Sequence, residues 1–131
     1  GLDLLPTVCD YAGVEAPAGL RGTSWRALLE GRESAWRDEL GIDTAFDGPG
    51  NRPTLGRTVR TERYKYIVYN WGKNREQLFD LERDPGELVD LSVENRYREV
   101  LQEHRRRASR WGAAYDTRGY WGLMVPEADR A

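Results

Sequence analysis

Apolar and polar positions alternate in short bursts through the middle of the chain. Val59, Tyr64, Tyr66, Val68, Leu78 and Phe79 supply β-branched and aromatic positions, with Lys65, Ile67 and Tyr69 between them. That period of two predicts strands near Leu55–Thr61, Tyr64–Asn70 and Glu76–Asp80. Thr61-Glu62-Arg63 is short enough for a hairpin connection. Asp84-Pro85-Gly86 signals a turn, because Pro fixes one φ angle and Gly accepts a positive one. Upstream, Leu40, Ile42 and Thr44 alternate with Glu39, Gly41 and Asp43, which predicts a further strand over Glu39–Phe46 with its apolar face buried. Asp47 to Gly56 is a loop rich in Gly and Pro.

The pattern then changes period. Tyr97, Val100, Leu101, His104, Ala108, Trp111 and Tyr115 recur at helical spacing, so a long amphipathic helix is expected from about Arg96 to Ala114, capped by Asn95. Near the start, a helix capped by Asp3 runs to about Ala12 and ends at Gly13, with Leu5, Val8, Cys9 and Ala12 sharing a face at helical spacing. Thr23 or Ser24 opens a second short helix carrying Trp25, Leu28 and Leu29 and closed by Gly31. The predicted class is α+β: a small antiparallel sheet of about four strands packed by a long C-terminal helix, with short helices at the N-terminus.

Composition narrows the classes of function. With 131 residues, 39% hydrophobic and 32% charged, the chain fits a polar domain with a small or one-sided core. Five Trp and seven Tyr add apolar area that the aliphatics lack. A net charge of −2 gives no electrostatic case for nucleic acid or an anionic membrane. No apolar run reaches the roughly 18 residues of a membrane span. One cysteine excludes an internal disulfide framework.

Three motifs in order carry more. They are Asp3-Leu4-Leu5-Pro6-Thr7-Val8 with Asp10-Tyr11-Ala12-Gly13-Val14, then Leu20-Arg21-Gly22-Thr23-Ser24 with Leu28-Leu29-Glu30-Gly31. The third is Arg60-Thr61-Glu62-Arg63-Tyr64-Lys65-Tyr66-Ile67 followed by the segment from Gln77 to Glu87. Together they resemble the C-terminal subdomain of the sulfatase family, metal-dependent sulfate-ester hydrolases of the alkaline-phosphatase superfamily. The resemblance implies hydrolysis of a sulfate ester or sulfamate on an anionic small molecule or glycan. It also implies a formylglycine made from Cys or Ser in a C/S-x-P-S-R motif, beside a calcium-type divalent cation held by Asp and Asn. Cys9 stands in Cys9-Asp10-Tyr11-Ala12, without the Pro and Arg of that motif. The chemistry is therefore expected in a larger N-terminal domain, and this segment alone is expected to be inactive.

On that basis residues 1–38 pack on the N-terminal domain, residues 39–115 form the subdomain, and residues 116–131 are a tail. Apart from its parent domain the segment is expected to self-associate. Two alternatives fit the same residues: a non-catalytic interaction module, and the equivalent subdomain of a related phosphate-ester hydrolase. Within the chain no residue is assigned to catalysis or to a metal. Asp80, Glu82, Asp84 and Glu87 lack calcium-loop spacing. His104 reads as a packed imidazole, Cys9 as a buried small hydrophobe, and Arg105-Arg106-Arg107 as a solvated helix face. Arg52 and Arg57 can face an anionic substrate, as guanidinium matches sulfate geometry, and Trp71 can stack on a sugar or aryl ring. The simpler reading of each arginine is a surface charge.

Overall fold

The computed structural model describes residues 1–33, 35–47 and 53–114. The chain divides into two units, Gly1–Arg37 and Asp38–Ala131. The second holds the strands β1 (Glu39–Asp47), β2 (Pro53–Thr61), β3 (Tyr64–Tyr69) and β4 (Glu76–Asp80). They form one antiparallel sheet in the order β1-β2-β3-β4. The predicted strands are present to within two residues at each end.

Register sorts the side chains into faces. Gly41, Val59, Tyr66 and Leu78 stand in one cross-strand row, and Asp43, Arg57, Val68 and Glu76 in the next on the same face. Val59, Tyr66, Val68 and Leu78 are buried there with Leu91, Leu101 and Ala108, and Leu55, Tyr64, Tyr97 and Val100 pack around them. Of these, Tyr97, Val100, Leu101 and Ala108 belong with the expected helix. It enters by a single 3-10 turn, Asn95–Tyr97, and continues as α3 (Arg98–Ala114). Asn95 contributes its backbone carbonyl to that turn rather than a side-chain cap, because the first turn is wound more tightly than an α-helix. Leu101, His104 and Ala108 are buried as the stripe predicts. Tyr115 lies outside the described residues.

Two glycines let α3 approach the sheet. A Cβ on Gly41 would lie 2.1 Å from the Trp111 ring, and one on Gly112 would lie 2.3 Å from an Arg57 nitrogen. This close approach overturns the expected burial of β1. Leu40, Ile42 and Phe46 are 38, 48 and 53% exposed, while Glu39 meets Arg107 and Asp43 meets Arg57 on the helix side. Alternation along a strand separates two faces but does not say which one a helix covers. Here α3 needs a gap for Trp111 and a carboxylate for Arg107, and Arg57 of β2 takes Asp43 on the same side, so α3 covers the polar face of β1.

The sheet edges also differ. Along β4, the Leu78 carbonyl accepts from Leu91 N–H at 2.8 Å, and Leu78 N–H donates to the Asp90 carboxylate at 3.0 Å. Among the described residues, β1 makes no backbone hydrogen bond beyond those to β2. After β4 the chain turns on Asp80, which accepts from Arg63 and from the N–H groups of Glu82 and Arg83. Arg63 foremost, with those N–H groups, holds the Asp80 carboxyl below its usual range against the opposing effect of burial. Asp84 accepts from the Leu88 and Val89 N–H groups. This segment is a structural turn in which Asp80 and Asp84 bind its own backbone, while Glu82 and Glu87 pair with Arg63 and Lys65.

In the first unit, α1 spans Leu4–Ala12 and ends at Gly13 with φ 67°. α2 is one turn, Arg26–Leu29. Asp3 does not cap α1. Its carboxylate accepts from Thr23 N–H at 2.8 Å and Arg37 at 2.7 Å, tying both ends of the unit together. Thr7 accepts from Trp25 N–H at 2.9 Å. The buried face of α1 is thus Pro6, Thr7 and Cys9. Leu5 and Val8, expected to pack on the larger N-terminal domain, are 49 and 55% exposed in this chain.

Candidate functional site

Arg57 is 5% exposed. Its cross-strand neighbour Asp43 takes a two-pronged pair, Nε to Oδ1 at 2.7 Å and Nη2 to Oδ2 at 3.1 Å, while Nη1 reaches the Ala108 carbonyl at 3.4 Å. The guanidinium expected to face a substrate instead fastens β1, β2 and α3 together. Register explains why: it sets Asp43 directly opposite Arg57 on the face that α3 covers. Arg52 lies outside the described residues.

Trp71 sits in the connection between β3 and β4, half-buried, its indole N–H donating to Thr54 Oγ1 at 3.2 Å. Asn70 anchors the same connection by accepting from Leu55 N–H at 2.9 Å and donating to the Pro53 carbonyl at 3.2 Å. Arg57 and Trp71 are therefore not gathered at one point.

What the structure does gather lies beyond Trp71. The Gly72–Arg75 turn, residues 90–95 and one side of α3 enclose an open groove of about 590 Å³. Its wall rests on a buried polar triad. Tyr66 donates its hydroxyl to Glu76 at 2.5 Å, and Arg105 clasps the same carboxylate from Nε at 2.7 Å and Nη2 at 2.5 Å. Burial, reinforced by the Glu76 charge, pushes the Tyr66 phenol far up, so it remains a donor. Arg105 was expected in solvent, yet its side chain is 12% exposed. Arg98, Gln102 and Arg105 at i, i+4 and i+7 formed a readable polar stripe. Its partner, Glu76 on a strand far earlier in sequence, was not marked by any local pattern. Arg106 does point outward, paired with Glu103 at 2.9 Å.

His104 is 4% exposed. Its Nδ1 lies 2.8 Å from the Val100 carbonyl, an acceptor that fixes the proton there, and Nε2 faces Thr61 Oγ1 at 3.4 Å. Burial lowers its pKa from the ordinary 6.5. The imidazole is a packed, neutral group.

Among the described residues, no cluster of three or more His, Cys, Asp or Glu side chains is placed to hold a metal ion. Cys9 is buried within α1. These residues do not fit a formylglycine or its cation. Among the described residues, no helix is long and apolar enough to cross a membrane.

Residues 1–112 match the family described as N-sulphoglucosamine sulphohydrolase, C-terminal. The chain belongs to this sulfatase C-terminal family. The domain is 40% identical over 113 residues to a Delta 4,5-hexuronate-2-O-sulfatase of Bacteroides thetaiotaomicron, covering 79% of this chain and 21% of that protein. It is 32% identical over 99 residues to an arylsulfatase of Clostridium perfringens, covering 76% of this chain and 19% of that one. The solved structure of a 2-O GAG sulfatase superposes with a TM-score of 0.74 at 31% identity, covering 98% of this chain and 28% of that one. The sulfatase C-terminal domain thus spans about a fifth of the curated relatives, and its α+β architecture is the one the alternating and helical patterns predict.

Proposed function

We propose that this domain serves a sulfatase that hydrolyses a sulfate ester on an anionic sugar. It completes the fold of a larger catalytic domain and borders its substrate pocket. The formylglycine nucleophile and a calcium-type cation belong to that larger domain. The family match over residues 1–112 carries this reading. Two surfaces support it: α1 turns Leu4, Leu5, Val8 and Tyr11 outward, and β1 presents Leu40, Ile42 and Phe46 beside an edge that has no backbone partner among the described residues. Apolar faces of this kind suit a protein partner better than water. The segment containing Arg52 and the connection carrying Trp71 are the parts proposed to border the pocket. Arg57 supports them from within the sheet through Asp43.

The test is turnover of an aryl sulfate with calcium, with an aryl phosphate run in parallel. The isolated chain is expected to give none, and the complete enzyme to prefer the sulfate. Hydrolysis by the purified chain above a buffer blank overturns the proposal, as does a complete enzyme that turns over only the phosphate.

A further inference from the structure

We propose that the groove between the Gly72–Arg75 turn and α3 binds a sulfated saccharide, with Lys73 and Arg98 facing its anionic groups. The inference starts from charge. The groove is lined by four cations (Lys73, Arg75, Arg98, Arg105) and three carboxylates, on a chain whose net charge is −2. All three carboxylates are already engaged. Glu76 is held by Tyr66 and Arg105, Asp90 accepts from the N–H groups of Leu78 and Ser92, and Glu94 pairs with Arg96 at 2.6 Å. Lys73 and Arg98 have no partner among the described residues. Glu76 and Glu94 are each neutralised by an arginine and Asp90 is tied to backbone N–H groups, so cations outnumber carboxylates on this concave surface and Lys73 and Arg98 face it unpaired among the described residues, a setting that attracts anions.

Shape and the remaining lining choose the class of anion. About 590 Å³ falls within the range of roughly 300–1,000 Å³ typical of ligand sites. The groove is open to solvent, which admits part of a chain. The exposed amides of Asn74 and Asn95 can each donate to and accept from sugar hydroxyls. Among the described residues no aromatic ring lines it, so it presents no stacking platform of the kind a single-stranded nucleic-acid site uses. An anion bearing many hydroxyls, a sulfated sugar, fits both features. The choice of saccharide rests on the sulfatase reading, and the groove itself does not.

Titration calorimetry of the full chain with a sulfated heparin tetrasaccharide tests the inference. Binding is expected, weakened by added salt, and absent for the chemically desulfated tetrasaccharide. Lys73→Ala combined with Arg98→Ala is expected to weaken binding by about tenfold or more, the loss of two charge-assisted contacts. Lys73→Arg retains it. Both residues are exposed, and circular dichroism verifies that the variants keep their fold. Arg60→Ala, an exposed position on the opposite sheet face, leaves binding unchanged.

The proposal is overturned if the wild-type chain does not bind, if the double variant binds equally well, or if Arg60→Ala is as damaging. Inorganic sulfate binding as tightly as the tetrasaccharide overturns it too, since the site is then a simple anion hole. Aryl-sulfate turnover by the wild-type complete enzyme separates the two proposals: turnover without tetrasaccharide binding removes the groove alone, and binding without turnover removes the sulfatase reading alone.

Discussion

Replacing Glu76 by Ala removes the centre of the Tyr66–Glu76–Arg105 triad. The carboxylate and guanidinium side chains are 13 and 12% exposed, and Tyr66 is 1% exposed. Deleting the carboxylate leaves a guanidinium and a phenolic hydroxyl without their acceptor, in a place water reaches poorly. Breaking one side of a buried pair costs about 3–5 kcal/mol, against a total stability of about 5–15 kcal/mol for an ordinary domain. Arg106→Ala removes a pair whose arginine is 64% exposed, and is expected to change stability by less than about 0.5 kcal/mol. Replacing all three members together (Tyr66→Phe, Glu76→Leu, Arg105→Met) leaves no orphan and is expected to recover most of the loss. Urea unfolding followed by tryptophan fluorescence measures all of these. If Glu76→Ala unfolds within about 0.5 kcal/mol of wild type, the triad does not hold α3 to the sheet and the groove wall is wrongly assigned.

Gly41→Ala drives a methyl to 2.1 Å from the Trp111 ring and is expected to cost about 1–3 kcal/mol by thermal melting; the penalty shrinks in a Trp111→Ala background, where the methyl has room. The depressed pKa of His104 means that the folded state holds its proton less tightly than the unfolded chain. Stability is therefore full above pH 6.5, the ordinary value, and falls as pH drops from there through the folded value. A urea series across that window is expected to show a decline that His104→Asn flattens. Asp80 acts in a lower window, below its ordinary 3.8, and its contribution persists in that variant. Light scattering on the isolated chain is expected to report a mass rising with concentration, as the apolar faces of α1 and β1 associate; a strict monomer at every concentration contradicts their exposure.

Much of this fold was legible because its strands and long helix have clean periods. Tyr64, Tyr66 and Val68 alternate with Lys65, Ile67 and Tyr69, and Leu101, His104 and Ala108 recur at helical spacing, so element type and length followed directly. The errors share a cause. Leu40 and Ile42 were expected inside because apolar groups usually are, but the cover for β1 is α3, whose Trp111 and Arg107 need Gly41 and Glu39, while Arg57 of β2 takes Asp43 on the same face. Leu40 and Ile42, with Leu5 and Val8 of α1, are exposed apolar groups that an interface would cover. Arg57 and Arg105 became internal because strand register and helix docking supplied Asp43 and Glu76 from distant positions. The groove unites a turn, an irregular segment and a helix, so its lining became visible only in three dimensions.

The central claim is that this domain completes a sulfatase fold. Its most direct test is the complete enzyme with residues 1–131 deleted, assayed for aryl-sulfate turnover with calcium before and after adding the purified chain in trans. The account predicts that the deletion abolishes turnover and that the added chain restores part of it, with Glu76→Ala restoring less. Full turnover by the deleted enzyme, without the chain, contradicts it.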